Sequence, residues 1–192
     1  MKWLIASDIH GSALYCKQLL ERFAAEKSDR LLLLGDLLYH GPRNDLPDGY
    51  APKEVIELLN PLADRILCVR GNCEAEVDQM VLAFPVLAEY ALMPLGSRLI
   101  YVTHGHICNA SNLPPLQPGD ILLHGHTHVP VCEQAGSIRI LNPGSVSIPK
   151  EGSPRSYMTL ENDTFTWKTL DGRIYGTWQP DTPCCDLRAH FC

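Results

Sequence analysis

The most informative stretch of the chain is Trp3-Leu4-Ile5-Ala6-Ser7-Asp8-Ile9-His10-Gly11. It starts with four apolar residues, and near its end a carboxylate and an imidazole lie two positions apart. The apolar run predicts a short buried β-strand. In extended backbone, side chains at positions i and i+2 point the same way, so Asp8 and His10 can converge on one point. Most Asp-x-His triplets only shape a turn, but oxygen and nitrogen donors at a strand end also suit a metal ion. Whether Asp8 and His10 shape a turn or bind a metal ion depends on whether other parts of the chain supply further ligands.

Size and charge limit the kind of protein. The chain has 192 residues, of which 45% are hydrophobic. We expect one globular domain over residues 1–178 and a flexible C-terminal tail over residues 179–192, which lacks hydrophobic periodicity. The net charge of −6 argues against a dedicated nucleic-acid surface and against binding to acidic membranes. The N-terminal apolar run is too short for a signal peptide, and nothing resembles a membrane span, so we expect a cytoplasmic protein.

Cysteines are frequent in this chain. Five of them occur singly in or beside apolar segments: Cys16, Cys68, Cys73, Cys108 and Cys132. We expect reduced thiols at these positions because no paired spacing is present. The tail adds four potential zinc ligands: Cys184, Cys185, His190 and Cys192. Adjacent cysteines do not give the usual spacing of a zinc site, so the sequence does not favour one there.

The first half of the chain alternates apolar runs with amphipathic segments. Predicted strands cover residues 3–6, 31–34 and 66–69, and predicted helices follow them over residues 12–27, 52–63 and to about residue 83. This order predicts parallel strands with helical crossovers, whose carboxyl ends form the usual ligand-binding edge. The second half is rich in strands, with hairpins predicted around residues 96–97 and 135–137. The sequence therefore predicts an α/β fold.

Five predicted strand ends carry side chains that can bind metals. They are Asp8, His10, Asp36, Asn72, His104, His126 and His128. Each residue alone has a plain structural explanation, as a turn residue or a hydrogen-bonded histidine. Independent turns have no reason to choose only metal-binding side chains, so their joint occurrence favours a metal site.

The blocks Asp-x-His, Gly-Asp, Gly-Asn-x-Glu, His-Gly-His and Gly-His-Thr-His lie in this order between residues 2 and 128. They resemble the five blocks of the calcineurin-like metallophosphoesterase superfamily. Residues 40–44, 71–74 and 142–147 are similar to the YfcE-type bacterial phosphodiesterases within it. The resemblance implies a four-layer α-β-β-α sandwich, with two mixed β-sheets flanked by helices.

The resemblance also implies which residues bind metals. Asp8, His10 and His128 would hold one ion, Asn72, His104 and His126 the second, and Asp36 would bridge both. Without a thiolate in this set, Mn, Ni, Mg, Fe and Zn are all admissible, and Mn suits mixed carboxylate, amide and imidazole ligands. Two divalent ions ~3.5 to 4 Å apart can hold a bridging hydroxide for in-line attack on a phosphodiester. Asp36, Asn72 and His104 are the catalytic candidates.

One position departs from the family pattern. Many phosphatases of this superfamily have His after the Asn, where it can protonate the leaving group, but this chain has Cys73. A thiol is a poor general acid, so leaving groups that need little protonation are favoured. The candidate substrate-binding residues are Arg43, Asn44, Cys73 and His106. Glu74 or a backbone carbonyl is expected to orient one of the imidazoles.

The leading interpretation is a metal-dependent phosphodiesterase for small-molecule phosphodiesters. One alternative is a phosphomonoesterase or nucleotide phosphatase, against which Cys73 counts. A second is a catalytically weak scaffold that binds proteins, similar to the retromer subunit of this fold. A scaffold has no need for a complete ligand set. A homo-oligomer is compatible with the sequence.

Overall fold

The computed structural model describes residues 1–191. The described strands are β1 Trp3–Ala6, β2 Arg30–Leu33, β3 Ile66–Cys68, β4 Tyr90–Leu95, β5 Arg98–Thr103, β6 Ile121–Leu123, β7 Pro130–Ala135, β8 Ile138–Pro143, β9 Ser156–Glu161, β10 Thr164–Thr169 and β11 Ile174–Trp178. The α-helices are α1 Ala13–Ala25, α2 Pro52–Leu59 and α3 Glu76–Val81, and short 3-10 helices cover Asn60–Arg65 and Arg188–His190.

Local sequence explains where the main helices begin. Ser12 caps α1 by accepting a hydrogen bond from the Tyr15 N–H at 3.3 Å. Pro52 is the first residue of α2, where its missing N–H costs nothing. The sequence predicts the second helix to residue 63, but α2 ends at Leu59, two residues before Pro61, and the chain continues as a 3-10 helix. Strand β11 was not predicted, because its residues show little alternation.

The strands form two mixed sheets. The first has the order β11-β10-β9-β1-β2-β3, and the second has the order β4-β5-β6-β8-β7. Strands β1, β2 and β3 pair in parallel, as the alternation in the first half predicted. Strands β5, β6 and β8 form the parallel centre of the second sheet, with antiparallel strands at both of its edges.

Alternate residues of the strands fill different cores. Leu31 and Leu33 of β2 pack with α1 and α2, whereas Leu32 and Leu34 pack between the two sheets. Consecutive leucines therefore serve both faces of a fully buried strand. A small third cluster, to which Leu116 of a loop contributes, covers the outer face of the second sheet. The predicted sandwich of two mixed sheets with flanking helices is confirmed.

The C-terminal segment packs against the hydrophobic core between the two sheets. Leu187 is only 3% exposed and belongs to the cluster between the sheets. Cys185 and Phe191 pack against the same cluster, so a segment without hydrophobic periodicity has several apolar contacts. The flexibility expected for the tail stays a prediction. Cys192, one of the potential zinc ligands of the tail, lies outside the described residues. Among residues 1–191, no helix combines the length and apolarity needed to cross a bilayer.

Candidate metal centre

The potential ligands lie in tight turns that follow the strands. Five of them have positive φ angles: Asp8 at 61°, His10 at 49°, Asp36 at 56°, His126 at 66° and His128 at 61°. This region is strained for residues other than glycine. Asp8 and His10 therefore converge through a left-handed turn rather than through the extended backbone that we expected from their spacing.

Hydrogen bonds between neighbouring turns hold this strained backbone. The His10 N–H donates to the Asp36 carbonyl at 2.8 Å, and the Asp8 N–H donates to the Gly35 carbonyl at 3.2 Å. The hydroxyls of Ser145 and Ser147 both donate to the Asp8 carbonyl, at 3.0 and 2.9 Å. The turn that carries Asp8 and His10 is therefore held by hydrogen bonds with two other segments of the chain.

Asp8, His10 and His128 form the first group of donors. The Asp8 Oδ1 atom lies 3.6 Å from His10 Nε2 and 3.4 Å from His128 Nε2. The two imidazole Nε2 atoms are themselves only 3.3 Å apart, with the rings stacked. All three side chains are buried, and Asp8 Oδ1 has no hydrogen-bond partner.

Asn72, His104 and His126 form the second group. His104 Nε2 lies 3.1 Å from Asn72 Oδ1 and 3.2 Å from His126 Nδ1. His126 also donates its backbone N–H to Asp8 Oδ2 at 3.1 Å, which ties the second group to the first. Residues from four separate turns thus meet at one place.

Asp36 stands between the two groups. Its Oδ2 atom lies 3.6 Å from His10 Nε2 and 3.4 Å from His104 Nε2. Its Oδ1 atom accepts the Cys73 N–H at 2.9 Å. One carboxylate oxygen therefore faces an imidazole of each group, which is the geometry needed for a bridging ligand.

Backbone carbonyls orient three of the imidazoles. His10 Nδ1 bonds to the Tyr39 carbonyl at 2.8 Å, His104 Nδ1 to that of Leu34 at 2.6 Å and His128 Nδ1 to that of Ile148 at 2.6 Å. Since a carbonyl only accepts, each Nδ1 carries a proton, and in the neutral imidazole this leaves the lone pair on Nε2 for a metal ion. Lone pairs crowded together in this way favour a bound cation, so the residues fit a metal centre.

Of the two groups expected to orient an imidazole, Glu74 or a backbone carbonyl, Glu74 has a different role. Its buried carboxylate contacts no imidazole and instead accepts the backbone N–H groups of Asp36 at 2.8 Å, Leu37 at 2.7 Å and Gly71 at 2.5 Å. A side chain on Gly71 would collide with the Asp36 carboxylate, which explains the glycine. Glu74 thereby joins the turns after β2 and β3. The orienting partners of the imidazoles are the backbone carbonyls.

The buried charges shift the pKa values of the ligands. Burial alone would lower the pKa of His104, but its hydrogen bond with Asp36 and the charge of Asp8 raise it to about 9. Burial opposes ionisation of Asp8, yet its contacts with His10 and His128 hold its pKa below the usual range. Burial and the nearby His104 lower the pKa of His126 to about 4. The carboxylates thus create a negative site that attracts cations.

A cavity of about 390 Å³ opens next to the two groups. Five of the seven potential ligands line it: His10, Asp36, Asn72, His126 and His128. Arg43, Asn44 and Cys73, three of the candidate substrate-binding residues, line it as well. The exposed Lys150 also lines it and was not identified from the sequence, since no motif marks that position.

The other predicted substrate-binding residue, His106, lies beside the second group of donors. His106 is half-buried, with its ring centroid 5.4 Å from that of His104, and it is not among the residues that line the cavity. Burial and the neighbouring His104 lower its pKa. Burial and the charge of Asp36 raise the pKa of the Cys73 thiol. Cys73 therefore lies at the cavity wall as a neutral thiol.

Asn142, near the end of β8, braces the turn that carries His126 and His128. The Asn142 amide donates to the Gly125 carbonyl at 2.7 Å and to the Thr127 hydroxyl at 3.1 Å. The Asn142 carbonyl accepts from the Trp167 indole at 2.7 Å. The sequence marked residues 142–147 only by their resemblance, and their supporting contacts appear in the fold.

Comparison with known proteins identifies the class. The calcineurin-like phosphoesterase superfamily domain matches residues 1–164. The chain is 51% identical over 166 residues to phosphodiesterase YfcE of Escherichia coli K12, a match that covers 86% of this chain and 90% of that protein. The chain belongs to the calcineurin-like phosphoesterase superfamily, and it is an enzyme of the phosphoric-ester hydrolase class.

Solved structures agree with this assignment. The structure of the E. coli phosphoesterase YfcE matches with a TM-score of 0.90 and 48% identity, over 94% of this chain and all of that one. A zinc complex of Vps29 from Entamoeba histolytica matches with a TM-score of 0.57 and 24% identity, over 97% of this chain and 99% of that one. The second likeness concerns the fold alone.

Proposed function

We propose that this protein is a metal-dependent phosphodiesterase acting on small-molecule phosphodiesters. The observation that carries the proposal is the convergence of seven donor residues beside one cavity, in two groups that share the Asp36 carboxylate. The relative from E. coli that is 51% identical is named a phosphodiesterase. Both lines of support point to the same chemistry.

The proposed ligand assignment follows the two groups. Asp8, His10 and His128 would hold one divalent ion, Asn72, His104 and His126 would hold the other, and Asp36 would serve both. When bound, two such ions activate water and neutralise charge on the phosphoryl oxygens. Manganese is the proposed metal, with nickel, magnesium, iron and zinc as the other candidates, because the donors are carboxylate, amide and imidazole.

The chain's own residues then bind and orient the substrate. Arg43 and Lys150 supply positive charge at the cavity wall, where they can contact non-bridging phosphate oxygens. Asn44 is held by its hydrogen bond to the His40 carbonyl at 2.8 Å, which fixes the loop that presents Arg43. Cys73 occupies the position where an imidazole would protonate the leaving group. The residues that line the cavity therefore suit diesters with good leaving groups.

A phosphomonoesterase is the second candidate, and one observation favours it. Two cationic side chains, Arg43 and Lys150, line the same cavity and would suit the extra charge of a monoester. The neutral Cys73 argues the other way, because alkyl monoesters require protonation of the leaving alkoxide. The balance therefore favours diesters.

The test is a matched pair of substrates assayed with each metal. The apoprotein is loaded separately with Mn, Ni, Mg, Fe or Zn, and hydrolysis of an aryl phosphodiester is compared with that of the corresponding monoester. A higher kcat/KM for the diester with at least one metal, and none without metal, supports the proposal. A preference for the monoester supports the second candidate. Absence of both activities with metal bound supports a scaffold that binds proteins.

A further inference from the structure

Three cysteines meet at one edge of the second sheet, away from the metal centre. Cys132 lies on the edge strand β7 and is 5% exposed. Cys184 and Cys185 belong to the C-terminal segment that follows β11. Cys132 and Cys185 line the same small cavity and pack against the same hydrophobic core. The fold thus brings together two cysteines that are far apart in the sequence.

The segment that carries Cys185 is held in place by its neighbours. Leu187 is buried in the core between the sheets, and Cys185 packs against the same core. The packing of this segment requires Gly176 of β11, since a side chain at position 176 would collide with Leu187. A cavity of about 100 Å³ lies along this contact and is lined by both thiol-bearing residues, Cys132 and Cys185. There is room for the two sulfur atoms to rearrange.

Cys184 also lies near Cys132, but it has a further contact with Arg139. The Arg139 guanidinium donates to the Cys184 sulfur and lies over the Trp178 ring, 4.8 Å from its centroid. Cys184 is exposed, whereas Cys185 is half-buried beside Cys132. A bond between the adjacent Cys184 and Cys185 would also close a strained ring across one peptide bond. The packing therefore favours Cys185 as the partner of Cys132.

We propose that Cys132 and Cys185 are a site of reversible oxidation, at which a peroxide converts the two thiols into a disulfide that fastens the C-terminal segment to β7. No role in phosphoester hydrolysis is required of either residue. The site is independent of the proposed function.

The reaction balances with hydrogen peroxide as the oxidant. The Cys185 thiolate attacks one peroxide oxygen, the O–O bond breaks, and the departing hydroxide takes up a proton to form water. The Cys132 thiolate then attacks the Cys185 sulfenic acid, so that the S–S bond forms and the second oxygen leaves as water. Two thiols lose two electrons, and the peroxide gains them. Added dithiothreitol reverses the step by thiol exchange.

The two thiols differ in burial and in pKa, which indicates the order of events. Their mutual contact lowers the pKa of Cys185, whereas that contact and burial raise the pKa of Cys132. Cys185, which is also less buried, is therefore the first sulfur to react. Cys132 is the resolving thiol.

The test uses the full-length, metal-loaded protein treated with hydrogen peroxide and digested without reductant. Peptide mapping is expected to find a linked pair that contains Cys132 and Cys185, with two of the eight thiols lost. The melting temperature is expected to rise by about 5 °C, because the disulfide constrains a long loop of the unfolded chain. Dithiothreitol should restore the number of free thiols and the original melting temperature.

Matched variants make the result specific. C185S and C132S should each abolish the linked peptide and the gain in melting temperature, whereas C184S should retain both. If serine at the buried position 132 prevents folding, C185S alone tests the pair. Linkage of Cys132 to Cys184 or Cys192, or oxidation without any disulfide, would overturn the proposal. Phosphoesterase activity of unoxidised C185S should match that of the unsubstituted protein.

Discussion

The Glu74 carboxylate accepts the backbone N–H of Asp36 at 2.8 Å, although the two residues belong to turns after different strands. The same carboxylate accepts two further backbone N–H groups, from Leu37 and Gly71. Burial and the charge of Asp36 raise the pKa of Glu74 to about 7, yet three donors stabilise its ionised form. Glu74 is therefore a positioning residue for the bridging carboxylate.

Glu74→Ala should destabilise the protein by about 3 kcal/mol or more, because it leaves three backbone donors without their acceptor in the interior. Metal affinity should fall by about 10- to 100-fold, as expected when a group that supports a ligand is lost. Urea unfolding and metal titration measure the two effects. Glu76→Gln, at a side chain 82% exposed, is the matched control and should change neither. Unaltered metal affinity in Glu74→Ala would contradict the positioning role.

Asp36→Asn should reduce metal-dependent hydrolysis by at least about 100-fold while the fold remains. The amide keeps the shape of the carboxylate but loses the charge that both groups of donors face. Bound metal per chain, circular dichroism and kcat/KM are the measurements. Asp45→Asn, in the exposed loop that carries Arg43, should keep full activity. Full activity of Asp36→Asn with two metals bound would refute the bridging assignment.

Cys73→His should raise the turnover of phosphoesters with poor leaving groups by up to about 100-fold, because an imidazole can protonate a departing alkoxide. Substrates with nitrophenolate leaving groups should change little. The ratio of kcat values for alkyl and aryl esters is the measurement, and Cys73→Ser controls for loss of the thiol. An equal gain for both kinds of ester would show that the imidazole does not act on the leaving group.

Glu26 supplies a prediction about pH and stability away from the metal centre. Its carboxylate pairs with Lys2 at 2.8 Å and Lys168 at 2.6 Å and accepts the Tyr157 hydroxyl at 3.0 Å. Burial opposes ionisation, but these contacts lower its pKa to about 2 from the ordinary 4.5. The stabilisation is therefore complete above pH 4.5 and disappears as the pH falls towards 2.

Glu26→Gln should cost about 1 kcal/mol at pH 7, and the difference from the unsubstituted protein should shrink as the pH falls through this range. Urea midpoints at several pH values measure it. Glu57→Gln, on the exposed side of α2, is the control and should show no such trend. A difference that stays constant down to pH 2 would exclude the ion pairs as its cause.

The sequence by itself determined which donors this protein has and in what order strands present them. Asp8, His10, Asp36 and the later blocks each follow an apolar run, and buried strands and the turns after them are set by local residue types. The same local rules predicted the parallel strands of the first half. The family resemblance added how the donors divide into two groups.

Only the tertiary structure decided how these donors are held. Glu74 reaches the turn of Asp36, backbone carbonyls fix the imidazole protons, and Lys150 joins the cavity wall. His106, which has the same local motif signal as a ligand, lies outside the cavity lining. These relationships join residues that are distant in the chain, and no local pattern records them. The proximity of Cys132 and Cys185, which line one small cavity, depends on the fold for the same reason.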